Sequence, residues 1–237
     1  VFYNIMKSKK KTKRRTRNTK KHKQNKMIVH QVFGLMGDTK LPPLFKKSQE
    51  AFKLFCKKNN YRYKFWNKNA CEKLIEEYKD YKDMYYSVRY TIMKVDIIRF
   101  LILHKHGGLY VDLDIIPKIK KLVNSDLVIA YKVADKRQHY EMEVVQSKKG
   151  NPFLLNFLDH VKQQIKDKNK IKIYEIWKAR YIYQTTGPYS LHRFLNENNI
   201  KPDKYIINEP KSNDKSLNLT GKEDFISYPS CSYLCKL

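Results

Sequence analysis

The stretch HKHGGLYVDLDIIPK, residues 104–118, decides how the rest of this 237-residue chain reads. Two glycines close a long apolar run, a short β-like segment follows, and two aspartates stand one residue apart. Strand side chains alternate between faces, so Asp112 and Asp114 are expected to point the same way while Leu113 enters the core. Two like charges held together repel unless a cation or bound ligand lies between them. In a chain with 50 Lys and Arg against 23 Asp and Glu, net +27, that pairing asks for a purpose.

Working outward, residues 89–105 read as a helix stopped by Gly107-Gly108. Asp96 and Arg99, three apart, share one helical face, with Val95, Ile98, Ile102 and Leu103 expected on the opposite side. One reading is a surface ion pair of little worth. The other has Asp96 accepting hydrogen bonds from a sugar hydroxyl and Arg99 facing phosphate or metal-bound carboxylates; the aspartate pair nearby favours it. The D-x-D pair likewise has two readings: solvated loop aspartates, or a seat for Mg²⁺ or Mn²⁺, which prefer oxygen ligands and keep phosphate in their shell.

Further out, MIVHQVF (27–33) reads as a buried first strand and YRYKFW (61–66) as a second. Residues 44–58 place Leu44, Ser48, Phe52 and Phe55 on one helical face, and 70–80 form a second helix. DLVIAYKV (126–133) and MEVVQSKK (142–149) follow as strands. A helix from Pro152 to Lys166 has Asn151 as N-cap, and TTGPYSLHRFL (185–195) is a turn entering another. Strands separated by such helices predict an α/β fold around a mostly parallel sheet, where ligands bind beyond the carboxyl ends of strands.

Residues 1–26 hold 12 Lys or Arg and no acid, leaving 38 bases against 23 acids in the body. This segment is expected to be a flexible basic tail, because it cannot bury apolar surface. It suits an anionic membrane surface, nucleic acid or a localisation signal; part of the charge also fits the Lys/Asn/Ile/Tyr-rich product of an AT-rich genome. Residues 27–237 are then the single folded domain. No run approaches the ~18 apolar residues of a membrane span, and no secretory signal opens the chain. The expected location is the cytoplasm or the cytoplasmic face of a membrane, with an anchor upstream of Val1 left open. Cys56, Cys71, Cys231 and Cys235 lack zinc-site spacing and read as free thiols.

VDIIRFLILHKHGGLYVDLDIIP resembles the signature of glycosyltransferase family 32, the sugar-transferring enzymes with a DXD motif that are related to the glucosylating clostridial toxins. Every anchor is present: D-x-x-R, an apolar run, G-G, an aromatic, then D-x-D. MIVHQVFG resembles the family's opening I-H-Q-x-W strand, and TTGP its later T-G-P turn. The resemblance implies a GT-A-like fold, a UDP- or GDP-sugar donor, a glycan, lipid or protein acceptor, Mn²⁺ or Mg²⁺, and transfer with retention of configuration. It makes Asp114 a direct metal ligand and has Asp112 contact the donor ribose and the metal shell. Asp96 and Arg99 hold the donor sugar and diphosphate. His30, Gln31, Val32 and Phe33 lie beside the nucleobase, Phe33 replacing the usual tryptophan. Gly108 and Tyr110 belong to the donor site, and Gly187 lets backbone approach the substrate.

Two departures stand out. The His and Trp that family members carry after the YP seen at Tyr228-Pro229 have no counterpart in SCSYLCKL, which leaves an inactive relative as an alternative. Met142 replaces an Asn common in relatives, and Glu141 and Glu143 beside it face either an acceptor hydroxyl or solvent. A nucleic-acid-binding protein would explain the charge but leave the D-x-x-R and D-x-D block without a purpose. A metal-dependent nuclease or phosphatase normally needs more clustered carboxylates or histidines.

Overall fold

A computed structural model describes residues 26–134, 137–166, 178–208 and 224–228. The amino-terminal basic segment, Cys231 and Cys235 lie outside them. Among the described residues eight strands form one sheet: β1 (Ile28–Val32), β2 (Arg62–Trp66), β3 (Gly108–Val111), β4 (Ile115–Pro117), β5 (Leu127–Ala134), β6 (Arg137–Ser147), β7 (Asp203–Asn208) and β8 (Phe225–Ser227). Among the same residues seven helices flank it: α1 (Pro43–Asn59), α2 (Lys68–Glu76), α3 (Lys79–Ser87), α4 (Thr91–His106), α5 (Pro152–Lys166), α6 (Lys178–Thr185) and α7 (Pro188–Glu197). This is the α/β architecture expected, but the sheet is mixed. Four of its seven strand pairings are parallel, while β6 runs antiparallel to both β3 and β5, and β4 to β8.

The strand order is β2-β1-β3-β6-β5-β7-β8-β4. Consecutive β3 and β4 therefore stand third and eighth, yet only residues 112–114 separate them. So short a link bridges at most about 14 Å of extended chain. The sheet must curl to bring its far edge back beside β3, and the D-x-D turn sits at that closure. One face packs on α2 to α7 through Ile97, Phe100, Leu101, Phe157 and Leu191. The other packs on α1 through Phe52, Phe55, Leu109 and Val144.

Helix α4 runs through the centre, and every residue from Asp96 to Leu103 is buried. A helix apolar nearly all round belongs inside a protein, so any charge on it must be paired. Val95 lines a cavity with Asp96 and Arg99 instead of lying opposite them. The helix ends as Gly107 and Gly108 turn the chain with φ of 65° and 106°. A Cβ on Gly108 would come within 2.2 Å of the Ile28 carbonyl oxygen, so only glycine lets β3 insert beside β1.

Several boundaries differ from expectation. Residues 70–80 are not one helix: Tyr78 leaves helical geometry and sends its hydroxyl to His104 Nδ1 at 2.8 Å, docking the break between α2 and α3 onto α4. On α1 the inward residue is Phe45, with Leu44 only half-buried. LYVDLDII is two strands around a turn, and strands β7 and β8 and helix α6 carry no clear local signal. Cys56 and Cys71 are free thiols, and burial pushes both up to about 12, which keeps them protonated and inert. Among the described residues no helix is long and apolar enough to cross a membrane.

Candidate active site

Strand β3 stops at Val111, so Asp112, Leu113 and Asp114 occupy a tight turn. All three line one cavity of about 400 Å³. The turn, not strand alternation, brings the two carboxylates together. Its backbone is tied at each step: Asp112 N–H donates to Glu143 O at 2.8 Å, and Tyr228 N–H donates to Asp114 O at 3.0 Å.

Asp96 and Arg99 are buried at 7% and 3% exposure, which rules out the surface-pair reading. Arg99 Nη2 donates to Asp96 Oδ1 at 2.9 Å, and its Nη1 donates to Met142 O at 2.6 Å and approaches Asp112 Oδ2 at 3.5 Å. The guanidinium lies 4.8 Å from the centre of the Tyr110 ring, whose hydroxyl donates to Asp112 Oδ1 at 2.7 Å. Thr186, in the T-G-P turn, donates to Asp96 Oδ2 at 2.7 Å. One buried network thus joins α4, β3, β6 and the start of α7. Burial pushes Asp96 up to about 6 despite Arg99, and raises Asp112 against the pull of Arg99 and Tyr110.

Val32, Phe33, Tyr110 and Gly187 also line the cavity. Phe33 packs edge-on against Phe45, and both form a small apolar cluster with Leu113 at one wall. His30, Gln31 and Gly108 do not line it. Gly108 is a packing glycine, as above. Gln31 Nε2 donates to Ser48 Oγ at 3.0 Å and reaches toward Asp112 O at 3.4 Å, and Ser48 Oγ donates to Ile115 O at 2.6 Å. Gln31 therefore braces both ends of the D-x-D turn from behind.

His30 is fully buried: Trp66 Nε1–H donates to its Nδ1 at 3.1 Å, and its Nε2 lies 2.9 Å from Gly107 O. That pairing requires the neutral ring protonated at Nε2. Burial accordingly lowers its pKa to about 3. A depressed histidine holds its stability above pH 6.5 and loses it as pH falls toward the folded value, at about 1.4 kcal/mol per unit. Between pH 6.5 and 5 the native chain is expected to lose about 2 kcal/mol more than His30→Gln, read from paired urea titrations. Equal pH slopes in the two proteins would refute the role. Asp96 and Glu143, raised to about 6 and about 8, act with opposite sign in both proteins and cancel in the difference.

The sequence left Glu141 and Glu143 undecided, and it gave no signal for Lys132. All three side chains line the cavity, with Lys132 Nζ 3.8 Å from Glu141 and 3.7 Å from Glu143. Ser227 Oγ donates to Glu143 Oε2 at 3.0 Å, linking β8 to this wall. Desolvation is the first cause of the rise of Glu143 to about 8. With Asp38, six carboxylates and two cations line the cavity of a chain that is otherwise strongly basic.

That excess of hard oxygen donors is the donor chemistry that divalent cations such as Mg²⁺ and Mn²⁺ take. Among the described residues no three His, Cys, Asp or Glu side chains group to hold an ion unaided. Mg²⁺ and Mn²⁺ bind through one or two carboxylates and complete their shell with water and substrate phosphate, and Asp112 and Asp114 are the pair placed for that. The fold and site together define an α/β protein with an acidic cavity at the D-x-D turn.

Residues 42–134 match the family described as the glycosyltransferase sugar-binding region containing DXD motif. That segment contains α4 and the D-x-D turn, so the matched region builds much of the cavity. The chain is 27% identical over 134 residues to an uncharacterised glycosyltransferase of Acanthamoeba polyphaga mimivirus, covering 53% of this chain and 51% of that protein. It is 35% identical over 57 residues to inositol phosphoceramide mannosyltransferase 3 of Schizosaccharomyces pombe (strain 972 / ATCC 24843), covering 24% of this chain and 16% of that one. The matches thus span about half of the first relative and less of the second. Two solved structures are similar. PaToxG glycosyltransferase has TM-score 0.48 and 17% identity, over 73% of this chain and 69% of that one. A glycosyltransferase involved in glycosylation of the major capsid of PBCV-1 has TM-score 0.47 and 8% identity, over 85% and 93%.

Proposed function

We propose that residues 27–237 form a transfer domain that moves a hexose from a UDP- or GDP-sugar to an acceptor hydroxyl, and that residues 1–26 are a basic extension. One observation carries this reading: the carboxylate excess at a turn braced on every side, beside a buried arginine, in a chain of net +27. A nucleotide-sugar brings a diphosphate, which is held only if cations stand between it and those carboxylates.

Transfer breaks the bond between the anomeric carbon and the phosphate oxygen and forms one to the acceptor oxygen, releasing nucleoside diphosphate and a proton. The family resemblance supports retention at the anomeric carbon. Asp112 and Asp114 would hold the divalent ion, which when bound supplies Lewis-acid charge for the departing diphosphate. Arg99 favours the charged form of Asp112 against the upward push of burial. Tyr110 occupies one of the Asp112 oxygens, which fixes the direction of the other. The apolar wall of Phe33, Phe45 and Leu113 suits the flat face of a base, and Asp96, fixed by Arg99 and Thr186, has acceptor oxygens for sugar hydroxyls.

The test is a panel of UDP- and GDP-sugars with Mn²⁺ or Mg²⁺, following release of free nucleotide. One donor is expected to turn over, and chelation of the metal should reduce that rate to background. Release that persists in excess chelator would overturn the metal dependence. No release from any donor, with or without acceptor, would overturn the transferase reading for this chain.

A further inference from the structure

A second hollow opens beside the cavity, lined by Ala179, Arg180, Tyr183, Gln184 and Tyr189. Tyr183 and Tyr189 line both spaces, so the hollow is continuous with the site just described. Their rings stand 5.7 Å apart at 77°, forming an aromatic corner, and Tyr189 is 40% exposed. Together the two rings put an aromatic surface at the mouth of the cavity, rimmed by polar side chains, as in ligand-binding grooves. Arg193 holds Gln184 in place: Nη1 donates to its side-chain oxygen at 3.2 Å and Nη2 to its backbone oxygen at 2.9 Å. The Gln184 amide then offers its NH₂ donors, and Arg180 lines the same hollow.

We propose that this hollow is the acceptor subsite and that the acceptor is a saccharide, one of whose pyranose rings seats against Tyr183 and Tyr189. The proposal rests on the transferase reading above. A sugar ring has an apolar C–H face, which suits an aromatic ring, and a rim of hydroxyls, which needs N–H and O–H partners nearby. Both are present here. A lipid chain would call for a broad unbroken apolar surface, whereas four of the five lining side chains end in polar groups. A peptide bound in extended form takes an open strand edge, and among the described residues the hollow is built from helices α6 and α7.

Saturation-transfer NMR on the full chain with mannobiose, lactose, cellobiose and chitobiose tests this without any donor. One disaccharide is expected to receive saturation at its ring C–H protons. Tyr183→Ser and Tyr189→Ser should each weaken that binding about tenfold, while Tyr189→Phe, which keeps the ring, stays within about twofold of the native chain. Should a serine variant melt early, Gln184→Leu supplies a second check and is expected to weaken binding through the lost hydroxyl partner. Binding indifferent to these changes overturns the proposal, as does a signal from phospholipid micelles or an acceptor peptide with none from any disaccharide. Nucleotide release measured alongside separates the two ideas. Disaccharide binding at the tyrosines without turnover of any donor keeps the subsite and removes the transferase reading; turnover without such binding removes the subsite alone.

Discussion

Asp114→Ala is expected to lower donor turnover by about 10² to 10³-fold, the scale on which loss of one charge-stabilising contact acts in an enzyme. Asp114 sits half-buried at the cavity lining beside Asp112, and its charge contributes to the upward shift of Glu143. Removing it relieves like-charge repulsion, so urea melts without metal should show unchanged or slightly higher stability. A second signature follows from the same charge: more Mn²⁺ should be needed for half-maximal nucleotide release. The combination separates a ligand from a structural residue. Full activity in Asp114→Ala would remove the D-x-D turn from the chemistry. Equal loss of activity and of folding would make Asp114 structural.

Arg99→Met is expected to destabilise the fold by about 3 to 5 kcal/mol, the usual cost of leaving a buried charge without its partner. Arg99 is the near cation of both Asp96 and Asp112, and it also satisfies Met142 O. Against a total of roughly 5 to 15 kcal/mol, that loss removes much of the folded margin. Asp96 would respond by titrating higher still, since Arg99 is the largest influence holding it down. The double variant Asp96→Asn/Arg99→Met should therefore be more stable than Arg99→Met alone, with a coupling of about 1 to 3 kcal/mol between the positions. Strict additivity in urea titrations would show that the pair acts independently, contrary to the 2.9 Å geometry.

The two results would also apportion the site between chemistry and scaffold. Asp114 faces the cavity and is tied into the fold through its backbone. Arg99 faces the cavity too, yet its main partners are buried protein groups. One substitution should cost activity and the other stability, although the residues are only 15 positions apart in the chain.

Local pattern by itself determined the central block of this protein. A helical period brings Asp96 and Arg99 together at i,i+3, two glycines stop the helix, and a short strand leads to Asp112 and Asp114; these relations span few residues, although the turn that holds the two aspartates is braced from elsewhere in the chain. The same holds for α1, announced by its apolar spacing, and for α5, announced by Asn151 as N-cap and Pro152 at its first turn. Only tertiary structure decided what the pair on α4 is worth, because burial turns a surface ion pair into a network that reaches Thr186, 90 residues away. Only it could assign His30 and Gln31 to bracing, since neighbouring strands decide which face of β1 each side chain meets. Lys132, Glu141 and Glu143 converge on the cavity through the pairing of β5 with β6, and such a register is a long-range contact that no local period encodes. The curl of the sheet is of the same kind: β3 and β4 are neighbours in sequence, but their places in the strand order follow from which edges found partners.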